Sequence, residues 1–184
     1  MEEQLKFGDL LATRSDNFLS KAIRWFMRKQ HPGVPIFSHI ACVTNVWGEL
    51  YISEATKKGV VTHSLKDSGY DKKKQVVILR FKRGFTYGQV EAMSKKMIEL
   101  SGTRYQFSNL PGWAIKLLFK INLFKKENEK RIYCSELGCI KINTAYPLTF
   151  INPNMVTPAD HFMSGLYDVI DVNDILADFD RWKI

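Results

Sequence analysis

The sequence predicts an α+β fold in a single domain over residues 1–184. Strand-like segments follow one another in the first half with short turns between them, which is typical of antiparallel strands. Helical patterns lie around these strands rather than in regular alternation with them. The chain is 45% hydrophobic and 25% charged, and it contains no internal repeat and no Gly/Ser-rich or Pro-rich linker. A chain of this length and composition is ordered and can bury its own core.

Six segments have the composition or the alternation of β-strands. They cover residues 8–12, 37–43, 49–55, 60–64, 75–81 and 168–172. Residues 45–48, with the sequence NVWG, predict the turn between the second and third strands. The closely spaced strands predict an antiparallel meander.

Three helices are predicted from their start and stop signals. The first covers residues 18–29 and follows N-cap candidates at 15–17. The second follows a capping box of Thr86 and Gln89 and ends near residue 100. The third begins at Cys134 and runs to about residue 142. Between them, residues 113–131 mix large apolar side chains with lysines, which predicts a surface helix with one buried face or a segment that lies on an anionic membrane.

Charge and cysteine content narrow the function classes. Lys and Arg number 27 against 19 Asp and Glu, which gives a net charge of +8. This excess favours an anionic partner such as nucleic acid, a membrane surface, a cell-wall polymer or a phosphorylated substrate, although a merely basic soluble surface has the same charge. The three cysteines form neither a CxxC pair nor a disulfide framework, and no nucleotide, serine-hydrolase or metalloprotease motif is present. We therefore expect no cofactor and no metal. With neither a signal peptide nor a membrane span recognisable, we expect a cytoplasmic protein with reduced thiols.

His39 and Glu54 are candidates for a paired site on neighbouring strands. Alternation places each of them on the apolar face of its strand, where an unpaired carboxylate is costly. If the hairpin turn is centred on residues 45–48, the two residues lie directly opposite each other. An inward His–Glu pair orients an imidazole as a general base. The alternatives are a structural core histidine and a Glu54 that points to solvent at the strand end, and His63 is a second possible polar partner.

Cys134 is the candidate nucleophile because it stands at the predicted start of a helix. A thiol at this position is activated by the helix dipole and by unpaired backbone amides, and the same amides can stabilise an oxyanion. The hydroxyl of Tyr133 is a further candidate for that oxyanion site. The alternative is a buried structural cysteine, which is the interpretation we favour for Cys42 and Cys139.

The motifs GDLL at 8–11, SHI at 38–40, SEA at 53–55 and YCSEL at 133–137 occur in this order. Together they resemble the circularly permuted papain-like cysteine enzymes, in particular the YiiX-type amidases of the NlpC-like superfamily. In that family the histidine precedes the cysteine in sequence. The segment VTPADHF at 156–162 also resembles the family's segment after the cysteine helix, so the resemblance covers residues 7–165. It implies a permuted papain-like fold, with an antiparallel sheet or small barrel against which the cysteine helix packs.

The resemblance implies Cys134 as nucleophile, His39 as base and Glu54 as the residue that orients the base. The implied activity is a cysteine hydrolase that cleaves an amide bond, in a small amide, a peptide or a cell-wall-derived substrate. Because lecithin retinol acyltransferase-like proteins share the permuted arrangement, a lipid acyltransferase or phospholipase is the alternative. A non-catalytic basic module on nucleic acid is a third and the least favoured interpretation, because no nucleic-acid-binding motif is recognisable.

Overall fold

A computed structural model describes residues 2–14, 37–70, 76–105 and 131–171, together with four helical positions at 21, 24, 25 and 28. The helix predicted over 18–29 therefore falls mostly outside the described residues. The basic and apolar stretch over 113–130 falls outside them entirely.

Eight strands are present in the described part of the chain: β1 (Leu10–Thr13), β2 (His39–Val46), β3 (Glu49–Thr56), β4 (Gly59–Ser64), β5 (Val76–Phe81), β6 (Arg104–Tyr105), β7 (Arg131–Ile132) and β8 (Tyr167–Asp171). Six of them form one antiparallel sheet in the order β4-β3-β2-β1-β5-β8, whereas β6 and β7 form a short parallel pair. The α+β class and the antiparallel sheet are confirmed. The sequence left open whether the strands form an open sheet or a small barrel. The described strands form an open sheet with β4 and β8 at its two edges.

Among the described residues, four helices accompany the sheet: α1 (Leu65–Ser68), α2 (Tyr87–Glu99), α3 (Cys134–Ala145) and α4 (Pro158–Met163). Single 3-10 turns occur at Glu2–Gln4 and Pro153–Met155. The predicted capping box begins α2, with the Thr86 N–H donating to Gln89 Oε1 at 2.9 Å and the Gln89 N–H donating to Thr86 Oγ1 at 3.3 Å. Over the ranges given above, no helix has the length and apolar character needed to cross a membrane.

Alternation along the strands divides the buried side chains into two clusters, one on each face of the sheet. Helix α3 packs against the face that carries Leu10, Ile40 and Cys42. The opposite face carries Leu11, Ala41, Val43, Ile52 and Tyr70. Cys134 belongs to the first cluster, whereas Ala41, the neighbour of His39 on the same strand face, belongs to the second. His39 is the first residue of β2, where its imidazole nevertheless hydrogen-bonds with Cys134.

The β2–β3 hairpin turns on two residues, Trp47 and Gly48. Both have positive φ, 52° and 87°, which is the backbone of the two-residue turns that match the twist of antiparallel strands. Asn45 stabilises the turn from within β2, because its side-chain oxygen accepts the Gly48 N–H at 2.8 Å. The predicted turn over 45–48 therefore contains the true turn, but the true turn is centred one residue later.

This shift changes the register of the hairpin. Ala41, and not His39, lies directly opposite Glu54. The expected direct pairing of His39 with Glu54 is wrong by two residues, because Asn45 was assigned to the turn and belongs to the strand. The two side chains still share one face of the sheet and are diagonal neighbours, a separation that long side chains can bridge.

A buried lysine attaches α3 to the sheet. Lys141 is 1% exposed, and its Nζ donates to the carbonyl oxygens of Asp9 at 2.9 Å and Val43 at 2.8 Å. These carbonyls belong to neighbouring strand segments, since the Val43 N–H also donates to the Asp9 oxygen. Burial lowers the pKa of Lys141 below its ordinary value. The lysine therefore fixes the position of α3, and so of Cys134, over β1 and β2.

Candidate active site

Cys134 is the first residue of α3. Tyr133 before it has an extended backbone with φ −110° and ψ 172°, so the chain changes direction at the start of the helix. The Tyr133 N–H donates to Glu136 Oε2 at 3.3 Å, which stabilises this start. Cys134 is only 5% exposed and packs with Ile40 of β2. The sulfur thus lies at a helix N-terminus against the first residues of the central strand.

Tyr133 does not supply the oxyanion donor suggested by its position beside Cys134. Its hydroxyl instead donates to the carbonyl oxygen of Pro153 at 3.3 Å. This contact links the start of α3 to the 3-10 turn that follows the helix. The sequence could not reveal it because the two residues are far apart along the chain.

His39 is the first residue of β2 and contacts Glu54 through its ring nitrogen Nε2. Nε2 lies 2.7 Å from Glu54 Oε2, and because a carboxylate only accepts, this nitrogen carries the proton. The other ring nitrogen remains for Cys134, with which His39 also forms a hydrogen bond. The structure therefore brings together Cys134, His39 and Glu54, the three residues selected from the sequence.

Glu54 is the centre of a larger hydrogen-bond cluster. Its Oε1 accepts from His63 Nε2 at 3.1 Å, and its Oε2 accepts from the Tyr70 hydroxyl at 3.0 Å as well as from His39. The sequence offered His63 as an alternative partner to His39, but the structure has both imidazoles on the same carboxylate. Tyr70 was missed, because it follows α1 and no periodic pattern links it to Glu54. The carboxylate is 8% exposed, so the prediction of an inward Glu54 is correct.

The electrostatics of Cys134 and His39 favour a thiolate–imidazolium pair. Burial raises the pKa of the Cys134 thiol, but the His39 charge, the His39 hydrogen bond and the N–H groups of Ile40 and Ser135 outweigh burial and lower it. Burial likewise lowers the pKa of His39, yet the charge and hydrogen bond of Cys134, followed by those of Glu54, raise it to about 9. Each group thus stabilises the charged form of the other.

The other two cysteines have the opposite character. Cys42 and Cys139 are both fully buried and belong to the core, as predicted. Burial raises the pKa of Cys42 to about 11 and moves that of Cys139 upward as well. Both thiols are therefore protonated at neutral pH. They are natural internal references for the reactivity of Cys134.

No group of three metal-ligating side chains is arranged to hold an ion within the described residues. Both oxygens of Glu54, the carboxylate nearest the two histidines, already accept hydrogen bonds.

Comparison with known proteins shows the fold. Neither a protein-family model nor a curated protein matches the sequence. Among solved structures, the crystal structure of YiiX from Escherichia coli O157:H7, described as a metalloprotein, matches with a TM-score of 0.58 and 22% sequence identity. The match covers 78% of this chain and 67% of YiiX. The chain therefore has a YiiX-like fold.

Proposed function

We propose that this chain, with its YiiX-like fold, is a cysteine hydrolase that cleaves an amide bond through a thioester on Cys134. The observation that carries the proposal is the position of Cys134 at a helix N-terminus, where it hydrogen-bonds with the imidazole of His39. That imidazole is held in turn by a buried carboxylate at 2.7 Å. A nucleophile, a base and an orienting group in this arrangement follow the logic of a catalytic triad.

In the proposed reaction the Cys134 thiolate attacks the carbonyl carbon of the amide. The imidazolium of His39 then gives its proton to the leaving nitrogen as the carbon–nitrogen bond breaks, which releases an amine and leaves a thioester. Neutral His39 next takes a proton from water as the water attacks the thioester carbonyl. Release of the carboxylic acid returns the thiolate–imidazolium pair. Glu54 keeps the imidazole oriented and stabilises its charged form throughout.

Backbone N–H groups support an oxyanion site at the same place. The N–H groups of Ile40 and Ser135 already hydrogen-bond to the Cys134 sulfur. The Ser135 N–H also belongs to the first turn of α3, where amides have no partner within the helix. Donors held at a fixed position beside the nucleophile stabilise the charge that develops on the substrate oxygen.

The charge of the chain is the basis for the proposed substrate class. The net charge of +8 suits an anionic cell-wall polymer or the surface of an anionic membrane. A lipid acyltransferase or phospholipase stays an alternative prediction, and the basic and apolar stretch that would contact a membrane lies outside the described residues. YiiX is described as a metalloprotein, whereas the proposed steps use only the side chains and backbone of this chain.

The decisive measurement is the pH dependence of iodoacetamide alkylation, read for each cysteine by peptide mass spectrometry. We expect Cys134 alone to react at pH 6, because its thiolate is favoured there while Cys42 and Cys139 are buried and protonated. In the His39→Ala variant, the rate at pH 6 should fall by about tenfold for each unit by which the Cys134 pKa rises. A wild-type Cys134 that reacts as an ordinary thiol, with a midpoint near about 8.5, contradicts the proposal.

The second expected result concerns the proton on His39. In a nuclear magnetic resonance titration, the His39 ring should keep its proton up to a pH of about 9. In the Cys134→Ala variant the midpoint should fall by about 1–3 units, because the negative partner is lost while the burial remains. In activity profiles the same ionisations give a bell shape, since deprotonated His39 on the alkaline side cannot supply the leaving nitrogen with a proton. An unchanged His39 midpoint in Cys134→Ala is the result that excludes the pair.

A further inference from the structure

Ser135, the residue after Cys134, is held from two directions by one segment of the chain. Its hydroxyl donates to the carbonyl oxygen of Val156 at 2.7 Å. Its own carbonyl oxygen lies 2.9 Å from Nε2 of His161. Val156 and His161 lie on either side of the start of α4. This short segment therefore hydrogen-bonds to both the side chain and the backbone carbonyl of Ser135, in the first turn of α3.

His161 has the protonation state and tautomer that this contact requires. A carbonyl oxygen only accepts, so Nε2 carries the proton and donates to Ser135. Nδ1 then accepts, and the Tyr167 hydroxyl lies 3.1 Å from it. His161 is fully buried, and this burial lowers its pKa to about 4. The ring is therefore neutral at physiological pH and adds no charge beside the Cys134 thiolate.

Two further features place the ring against the helix. A Cβ at Gly138 would lie 3.1 Å from His161 Nε2 and 3.2 Å from Ile40 Cγ2, so any larger residue would push on the ring where it reaches over α3. On the other side, Thr157 and Asp160 form a capping box at the start of α4, with contacts of 2.8 and 3.2 Å. The cap fixes the beginning of the short helix that carries His161.

We propose that His161 is a positioning residue of the Cys134 site, which holds the first turn of α3 so that the Ser135 N–H faces the sulfur. The inference rests on the proposed function. Its basis is that Ser135 cannot turn about its backbone while both its carbonyl and its hydroxyl are held, and the N–H of the same residue hydrogen-bonds to the Cys134 sulfur. His161 touches neither substrate nor the reacting atoms and acts through Ser135.

The test compares two replacements of His161 in the full chain. His161→Leu removes the donor to the Ser135 carbonyl, whereas the side-chain amide of His161→Gln can still donate. We expect His161→Leu to slow Cys134 alkylation at pH 6 by roughly tenfold or more and to raise its pH midpoint. His161→Gln should recover part of the rate. Gly138→Ala, which crowds the ring without removing it, is the second route to the same loss if His161→Leu fails to fold.

Thermal unfolding separates positioning from general stability. If His161→Leu lowers the melting temperature but leaves the rate and midpoint of Cys134 alkylation at their wild-type values, His161 is only structural and the inference is wrong. Amide hydrogen exchange of the peptide over residues 132–140 keeps the test independent of the proposed function. If wild-type Cys134 reacts as an ordinary thiol, the proposed function fails. Faster amide exchange in His161→Leu would then still show that His161 holds the first turn of α3, whereas unchanged exchange would overturn that inference.

Discussion

Replacing Glu54 by alanine is expected to slow the alkylation of Cys134 at pH 6 and, at the same time, to destabilise the fold. His39 loses both the charge and the hydrogen bond that help to raise its pKa, so the thiolate loses part of its stabilisation. The Tyr70 hydroxyl, on a fully buried side chain, loses its acceptor. A buried hydrogen bond to a charged group contributes about 1.5–3 kcal/mol to stability, whereas the partly exposed His39 and His63 can turn to water. Denaturant unfolding and cysteine alkylation measure the two effects.

The two effects of Glu54 separate in a matched double variant. Tyr70→Phe removes the hydroxyl that donates to Glu54. Because Glu54→Ala and Tyr70→Phe delete the same hydrogen bond, the double variant should lose less free energy of unfolding than the sum of the two single variants, while Cys134 should react as slowly as in Glu54→Ala. Glu54→Gln retains the size of the side chain and loses its charge, so it should also react slowly. Wild-type reactivity in Glu54→Gln would show that the carboxylate does not stabilise the imidazolium.

Lys141→Ala is expected to produce the largest loss of stability, about 2–5 kcal/mol, because it deletes a long, fully buried side chain between α3 and the sheet. Lys141→Met should lower the free energy of unfolding much less. Methionine fills most of the space, and the carbonyls of Val43 and Asp9 keep the backbone donors Gly8 and Val43 respectively. The change also removes the cost of burying an amine. Denaturant unfolding of the two variants gives the comparison, and a loss in Lys141→Met equal to that in Lys141→Ala would contradict it.

Lys141 also predicts a pH dependence with a definite sign. Its pKa is lowered in the folded state, so between that lowered value and the ordinary value the unfolded chain binds more protons than the folded one. The free energy of unfolding of the wild type must therefore rise with pH across this window relative to that of Lys141→Met. The measurement is the difference in the free energy of unfolding between the wild type and Lys141→Met, from pH 6 to the alkaline end of their stable range. A difference that stays constant across that range would show that the pKa of Lys141 is not lowered.

Local patterns predicted the elements of the fold well. Each of the six strand-like segments overlaps a strand, the capping box at Thr86 begins α2, and α3 begins at Cys134. These features depend on side chains a few residues apart, which the sequence displays directly. Cys134, His39 and Glu54 could be selected for the same reason, because each has an unusual position within its own element. Their catalytic roles stay predictions until the thiol is measured.

Contacts between distant segments could not be predicted in the same way. The register of β2 and β3 depended on a one-residue choice in the turn, since the Asn45 side chain binds the turn while Asn45 itself belongs to the strand. Tyr70 and His161 reach their partners from short helices whose placement only the tertiary structure fixes. The sequence does not single out His161, because its close approach to Gly138 is a tertiary contact between distant segments.

The β2–β3–β4 meander has a consequence for when reactivity arises as the chain folds. Three consecutive strands carry His39, Glu54 and His63, so the base and its carboxylate belong to one local unit that needs only two hairpins to form. Cys134 comes much later in the chain and joins this unit only when α3 docks on the sheet. Until then its thiol has neither imidazolium nor helix amides beside it and stays protonated at neutral pH. Under the proposed function, a nascent or misfolded chain therefore carries no reactive thiolate, and nucleophilicity at Cys134 arises only when folding is complete.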